Sequence, residues 1–132
     1  MRRLSAVLSL IVAMVGCGGT SPTSPGSPTV STYAGTVSAY GLASHPHTAS
    51  GAGTATVSLT WTGGADLDLY VTGASCTGYP PDACVVLARS TASSGSREEV
   101  SMVVAAGQSL TLWVDNFSTQ AGVAYTLTVS TS

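Results

Sequence analysis

Asp66 and Asp68 sit two residues apart in the alternating segment Asp-Leu-Asp-Leu-Tyr-Val that ends at Val71. In an extended strand such residues share a face and stand about 7 Å apart. That spacing suits paired oxygen ligands for calcium, with Asp115 as a third and Asn116, Glu98 and Glu99 as further donors from other segments. Calcium takes roughly six to eight oxygens, and no loop with that repeat spacing is present. The competing expectation is structural: the carboxylates accept hydrogen bonds from turn amides. His45-Pro46-His47 could point two imidazoles the same way, but no Gly-x-Ser-x-Gly follows to supply a nucleophile. Two histidines beside a turn are expected to be solvated surface residues. Trp113 is out of phase with Leu112 and Val114, so it belongs to the opposite face. Exposed there, with Tyr70 or Tyr79, it would stack on a sugar ring or a peptide; covered, it would only pack. No nucleophile and base come together, so the chain is expected not to be an enzyme.

The first sixteen residues read as an export signal, with Arg2 and Arg3 followed by an apolar run from Leu4 to Val15. As a helix that run rises only about 18 Å, against a bilayer core of about 30 Å. Met14-Val15-Gly16-Cys17 resembles the lipobox of bacterial lipoproteins, with Met14 where Leu is usual. The resemblance implies that Cys17 takes a diacylglyceryl group and becomes an acylated, palmitate-bearing amino terminus. Several acyl chains, at about 0.8 kcal/mol per buried methylene, suffice for stable anchoring. Gly18 stands where an aspartate would retain a lipoprotein in the inner membrane, so the outer membrane is expected.

Removing the signal leaves Arg89 and Arg97 against six carboxylates, a formal charge of −4, with no lysine anywhere. Nucleic acid binding needs clustered cations against phosphates, and that class is excluded. With Cys17 given to lipid, Cys76 and Cys84 remain as a pair in an oxidising compartment. A disulfide between them would close a small turn-rich loop, worth about 2–3 kcal/mol on the chain-entropy argument.

The elements that must position these groups are strands. Residues 17–28 form a Pro/Ser/Thr/Gly tether with no large apolar side chain. Residues 29–132 then make one small domain. Segments 54–61, 66–71, 100–104, 110–114 and 125–129 alternate apolar with polar residues, and weaker candidates lie at 33–40, 45–50 and 84–90. Gly63-Gly64, Ala106-Gly107 and Gly122 mark turns between them. The expected fold is all-β, an antiparallel jelly-roll-like β-sandwich.

Leu59-Thr-Trp-Thr-Gly-Gly-Ala-Asp-Leu-Asp-Leu-Tyr-Val71 resembles the central signature of the bacterial pre-peptidase C-terminal domain. Tyr33-Ala-Gly-Thr, Ser96-Arg-Glu-Glu-Val100 and the closing Gly122-Val-Ala-Tyr-Thr-Leu-Thr-Val129 extend the likeness over nearly all of residues 29–132. The Cys76–Cys84 loop is larger than that pattern requires, and no protease precedes the domain in this sequence. The resemblance implies a non-catalytic sandwich; some relatives bind collagen or other insoluble polymers, in certain cases with calcium.

The expected whole is an exported, lipid-anchored envelope protein. Its domain binds an extracellular polymer or a partner protein, with no cofactor beyond a possible calcium. The alternatives are a structural spacer without a ligand and a calcium-dependent adhesion module.

Overall fold

The computed structural model describes residues 27–78 and 82–132. The signal segment, Cys17, most of the tether and Tyr79 lie outside the described residues. Eight strands follow one another: β1 (Thr29–Val37), β2 (Leu42–Thr48), β3 (Gly53–Trp61), β4 (Leu67–Gly73), β5 (Val86–Ser90), β6 (Arg97–Val104), β7 (Ser109–Asn116) and β8 (Val123–Thr131). They build two four-stranded antiparallel sheets, β1-β8-β3-β6 (sheet A) and β2-β7-β4-β5 (sheet B). Successive strands mostly change sheets, and the order is that of a jelly roll. β4 and β5 are sequence neighbours paired in one sheet, and their connection carries the two cysteines.

Alternation decides which side chains go inside. Val57, Leu59 and Trp61 of β3 face Leu67, Leu69 and Val71 of β4, joined by Leu110, Leu112, Val114, Leu127 and Val129 in one core. Fully burying such a side chain contributes about 1.5–3 kcal/mol, which is why a one-residue slip in any strand would be costly. The indole of Trp61 keeps a polar contact there, donating to the carbonyl of Ala65 at 2.9 Å. Gly107 and Gly122 occupy φ of 75° and 68°, a left-handed conformation that suits the turns expected at both places.

β2 departs from the expectation for His45 and His47. Neither is a solvated surface residue: His45 is half-buried and His47 is buried, both turned toward the space between the sheets. The reason lies in the position of β2 at the edge of sheet B, where Pro46 can do without a ladder donor. Its inner side meets the tyrosines of sheet A rather than aliphatic core, so imidazoles fit where leucines would be expected.

The chain's turns divide between two ends. Thr29 pairs with Thr131 and Val37 with Val123, so both termini of the domain lie at one end. The connections 38–41, 62–66, 91–96 and 117–122 gather at the other, here termed the apical end.

Candidate functional site

The two outer faces of the sandwich have different chemistry. On sheet A the outward residues are mostly Thr and Ser: Thr32 and Thr36 of β1, Thr54, Thr56, Ser58 and Thr60 of β3, Thr126, Thr128 and Ser130 of β8. A shallow groove of about 490 Å³ crosses it over Ala34, Thr60 and Ala124. At its β6 edge Arg97 pairs with Glu99, whose carboxyl is held below the usual range by Ser58 and Arg97. This is a hydroxyl surface with one exposed ion pair.

Sheet B presents a graded row of unlike groups. Strand register places Leu42, Asp115 and Asp68 in one row, and Ser44, Trp113, Tyr70 and Arg89 in the next. Thr111 and Thr72 form the third. Trp113 and Tyr70 thus stand side by side on the outer face, apart from the interior core, and are 7% and 5% exposed. The indole N–H of Trp113 donates to Thr72 Oγ1 at 2.9 Å, which locks the ring against the sheet. The hydroxyl of Tyr70 donates to Asp68 Oδ2 at 3.3 Å.

Electrostatics at this face are strained. The Asp68 carboxyl is pushed up to about 6, first by desolvation and then by the charge of Asp66, with Glu98 and Asp115 adding to it. Tyr70 is pushed up to about 12 by desolvation and by Asp68. The sign follows from linkage: a carboxyl raised above its ordinary 3.8 holds more protons folded than unfolded, so it adds stability as pH falls from about 6 to about 4. At neutral pH the ionised Asp68 works against folding.

Asp68 therefore feels the charges of Asp66 and Asp115, yet among the described residues no three His, Cys, Asp or Glu side chains converge to hold a metal ion. Asn116, a further candidate donor, is fully committed elsewhere. Its Nδ2 donates to the carbonyls of Ser38 and Gln120 at 3.0 and 2.8 Å, and its Oδ1 accepts from the Ser118 amide and hydroxyl at 2.9 and 2.7 Å. Glu98 faces inward, bonded to Ser90 Oγ and to the amide of Ala92 at 2.8 Å, while its neighbour Glu99 faces out.

Above the row, the apical end carries side chains that spacing did not single out. Tyr40 is 71% exposed and Phe117 47%, with Leu42 beside Asp115 below them. The Tyr40 amide donates to Ser118 at 3.2 Å, Asn116 to Gly41 at 2.9 Å, and Phe117 to Asp66 at 2.9 Å, lacing three turns into one rim. Tyr40 holds a φ of 48°, a left-handed conformation that disfavours a bulky side chain. Its position in Ala-Tyr-Gly and the single Phe of the chain were the available signals. At the opposite end Cys76 and Cys84 are joined, with Cα atoms 5.6 Å apart. Beside them Val85 and Leu87 border a recess of about 330 Å³.

No nucleophile–base pair forms among these groups. His45 and His47 reach tyrosine hydroxyls, and neither is hydrogen-bonded to a serine or a carboxylate among the described residues.

No protein-family model and no curated protein matches the chain. Among solved structures it shares its fold with the pre-peptidase C-terminal domain of collagenase from Bacillus anthracis, with a TM-score of 0.57 and 17% identity over 75% of this chain and 87% of that one. It is also similar to the Yersinia pseudotuberculosis-derived mitogen (TM-score 0.55, 18% identity, 80% of this chain and 87% of that one). A third is the periplasmic inhibitor of g-type lysozyme from Aeromonas hydrophila (0.53, 15%, 78% and 86%). At such identities the likeness is one of fold, and at that level the pre-peptidase-like β-sandwich is what the chain forms.

Proposed function

We propose that this chain is a lipid-anchored, non-catalytic binding module of a bacterial cell envelope. Its partner, an extracellular polymer or a protein, docks on the outer face of sheet B beneath the apical rim of Tyr40, Leu42 and Phe117. The observation that carries this reading is the inequality of the two outer faces. Trp113 and Tyr70 are covered and so pack rather than present a stacking face. A spacer that only had to resist proteolysis, however, would gain nothing from a destabilising Asp68 or from an exposed tyrosine in left-handed backbone. Both of these cost stability and neither serves the core, which is the pattern expected where a site is maintained.

The shared fold of a periplasmic lysozyme inhibitor supports an exported location and a protein as partner. Cys17, outside the described residues, is the proposed lipid site, and the outer membrane the proposed address. Tyr79, also outside them, is a further proposed ligand-binding residue. The hydroxyl surface of sheet A favours the spacer reading for that face alone.

The test is retention of the mature protein on collagen, chitin, cellulose and peptidoglycan, together with an intact mass of the membrane-extracted chain. The mass should begin at an acylated Cys17; an unmodified chain starting at Met1 would remove the anchor. Tyr40→Asn combined with Phe117→Ser should lower retention at least tenfold. Thermal stability should not fall, because Asn tolerates the left-handed backbone at position 40. Equal retention by wild type and variant would sink the proposed face. Absence of retention by wild type on every matrix would remove the polymer and leave the spacer or a protein partner that these matrices do not display.

A further inference from the structure

His45 and His47 are the only histidines in the sequence, and both lie in the seam where the edge strands β1 and β2 of opposite sheets meet. Tyr33 on β1 places its hydroxyl 2.8 Å from Nδ1 of His47. Tyr125 on β8 places its hydroxyl 2.8 Å from Nε2 of His45. The rings also touch: Tyr33 lies 5.3 Å from His45 and 6.1 Å from His47, and His45 lies 5.8 Å from Tyr125, centroid to centroid. Gly35, paired with Tyr125, makes this possible. A Cβ there would fall 2.6 Å from the Tyr125 hydroxyl, so the tyrosine can lie over its neighbour strand only because residue 35 has no side chain.

We propose that this seam is an acid-operated latch: protonation of His45 and His47 makes the closed seam costly, so that the two tyrosine–histidine ties part and the β1 and β2 edges are freed while the inner strands stay paired.

The groups facing the histidines make the case. From β1 comes Tyr33 and from β8 Tyr125; the strand partners of His45 and His47 on β7 are Leu112 and Leu110. Neither Asp, Glu, Lys nor Arg contributes to the shift of either histidine, and burial alone lowers both below their ordinary 6.5. His47 Nε2 is buried with no hydrogen-bond partner among the described residues. In the neutral ring that nitrogen is one unsatisfied group; in the imidazolium it is an unpaired charged donor, which is far more costly to bury. The second charge would arise on the same face of the same strand, about 7 Å away. Opening the seam exposes both rings to water and removes the penalty.

Both edges are free to part. β2 pairs only with β7 and β1 only with β8, and Pro46 already withholds one ladder donor from β2. The direction with pH is set by the lowered values. The open seam binds more protons than the closed one below about pH 6.5, so opening becomes easier as pH falls, by up to about tenfold per unit for each histidine until its closed-state value is reached. Asp68 acts in the opposite sense, gaining stability for the fold between about 6 and 4, but it sits on the outer face of sheet B. Global stability and seam opening should thus separate as pH is lowered.

Amide-exchange protection factors of the full mature chain, measured by NMR between pH 7.5 and 5.0 with the histidine ring protons followed alongside, test the latch. Both rings should titrate below 6.5. Protection in β1 and β2 should fall at least tenfold below pH 6, while β3, β4, β7 and β8 keep theirs on their inner sides. His45→Gln with His47→Asn keeps a neutral partner near each tyrosine hydroxyl and should make the β1 and β2 protection independent of pH. If the pair does not fold, each single variant should remove part of the effect. Rings that titrate at the ordinary value with unchanged protection, or an equal loss in the variants, would overturn the proposal.

Discussion

Replacing Asn116 by alanine is expected to lower the unfolding free energy by about 3 kcal/mol, read as a fall in thermal midpoint of about 15 °C at pH 7. The side chain is fully buried and its amide is saturated by four bonds. Alanine would orphan the carbonyl of Gln120 and the amide of Ser118, and would leave the Ser38 carbonyl, in a different turn, with the Gly41 amide alone. Each such loss costs about 1–3 kcal/mol when water cannot reach the group, and partial hydration at the apical end trims the sum. Asn116-Phe-Ser has the form of a glycosylation sequon, but in the folded domain its nitrogen is enclosed. A loss below about 1 kcal/mol would mean that the apical turns hold their shape without the asparagine.

Glu98→Ala should be comparably damaging, about 3 kcal/mol by chemical denaturation. The carboxylate projects inward from β6 at the edge of sheet A and accepts from Ser90 at the end of β5 and from Ala92 just beyond it, tying the second open seam of the sandwich. Alanine leaves the Ala92 amide without its partner and a void beside Leu59, its register neighbour. Glu98→Gln separates the two contributions. Its oxygen still accepts from Ala92 and its amide can donate to Ser90, so the loss should stay under about 1 kcal/mol. Meanwhile the titration of Asp68 should move down from about 6, because Glu98 is one of the charges that raise it. An equal loss in both variants would show that the charge itself, rather than the bonds, holds the seam.

These two residues also show where sequence reading stops. Strands β3, β4, β7 and β8 were legible because Val57-Ser-Leu-Thr-Trp61, Leu67-Asp-Leu-Tyr-Val71 and their counterparts bury one whole side against the opposite sheet. Edge strands β1, β2 and β5 gave weaker patterns, since their inner sides meet tyrosine, histidine and small residues rather than a leucine layer. The phase of Trp113 was readable and placed it on the outer face, whereas its near-complete shielding there was not. The pairing of Cys76 with Cys84 could be reached by counting. Asn116 bonds to Ser38 across a separation of 78 residues, and no local pattern announces such a partner. Tyr40 and Phe117 escaped for the same reason: their importance comes from being neighbours on a rim that only the closed sandwich creates.

The antiparallel pairing of β1 with β8, from Thr29–Thr131 to Val37–Val123, bears on mechanical load. A tether enters at Thr29, while the proposed partner docks around residues 40 and 117 at the far end. Tension between anchor and partner would run along β1, and the ladder bonds lie perpendicular to the strands. They would be loaded together in shear rather than peeled one after another. Pulling on Thr29 and Ser132, which leave the domain at the same end, would instead unzip that ladder from its open tip. The same domain should therefore withstand much greater force when pulled through its partner than when pulled by its two termini.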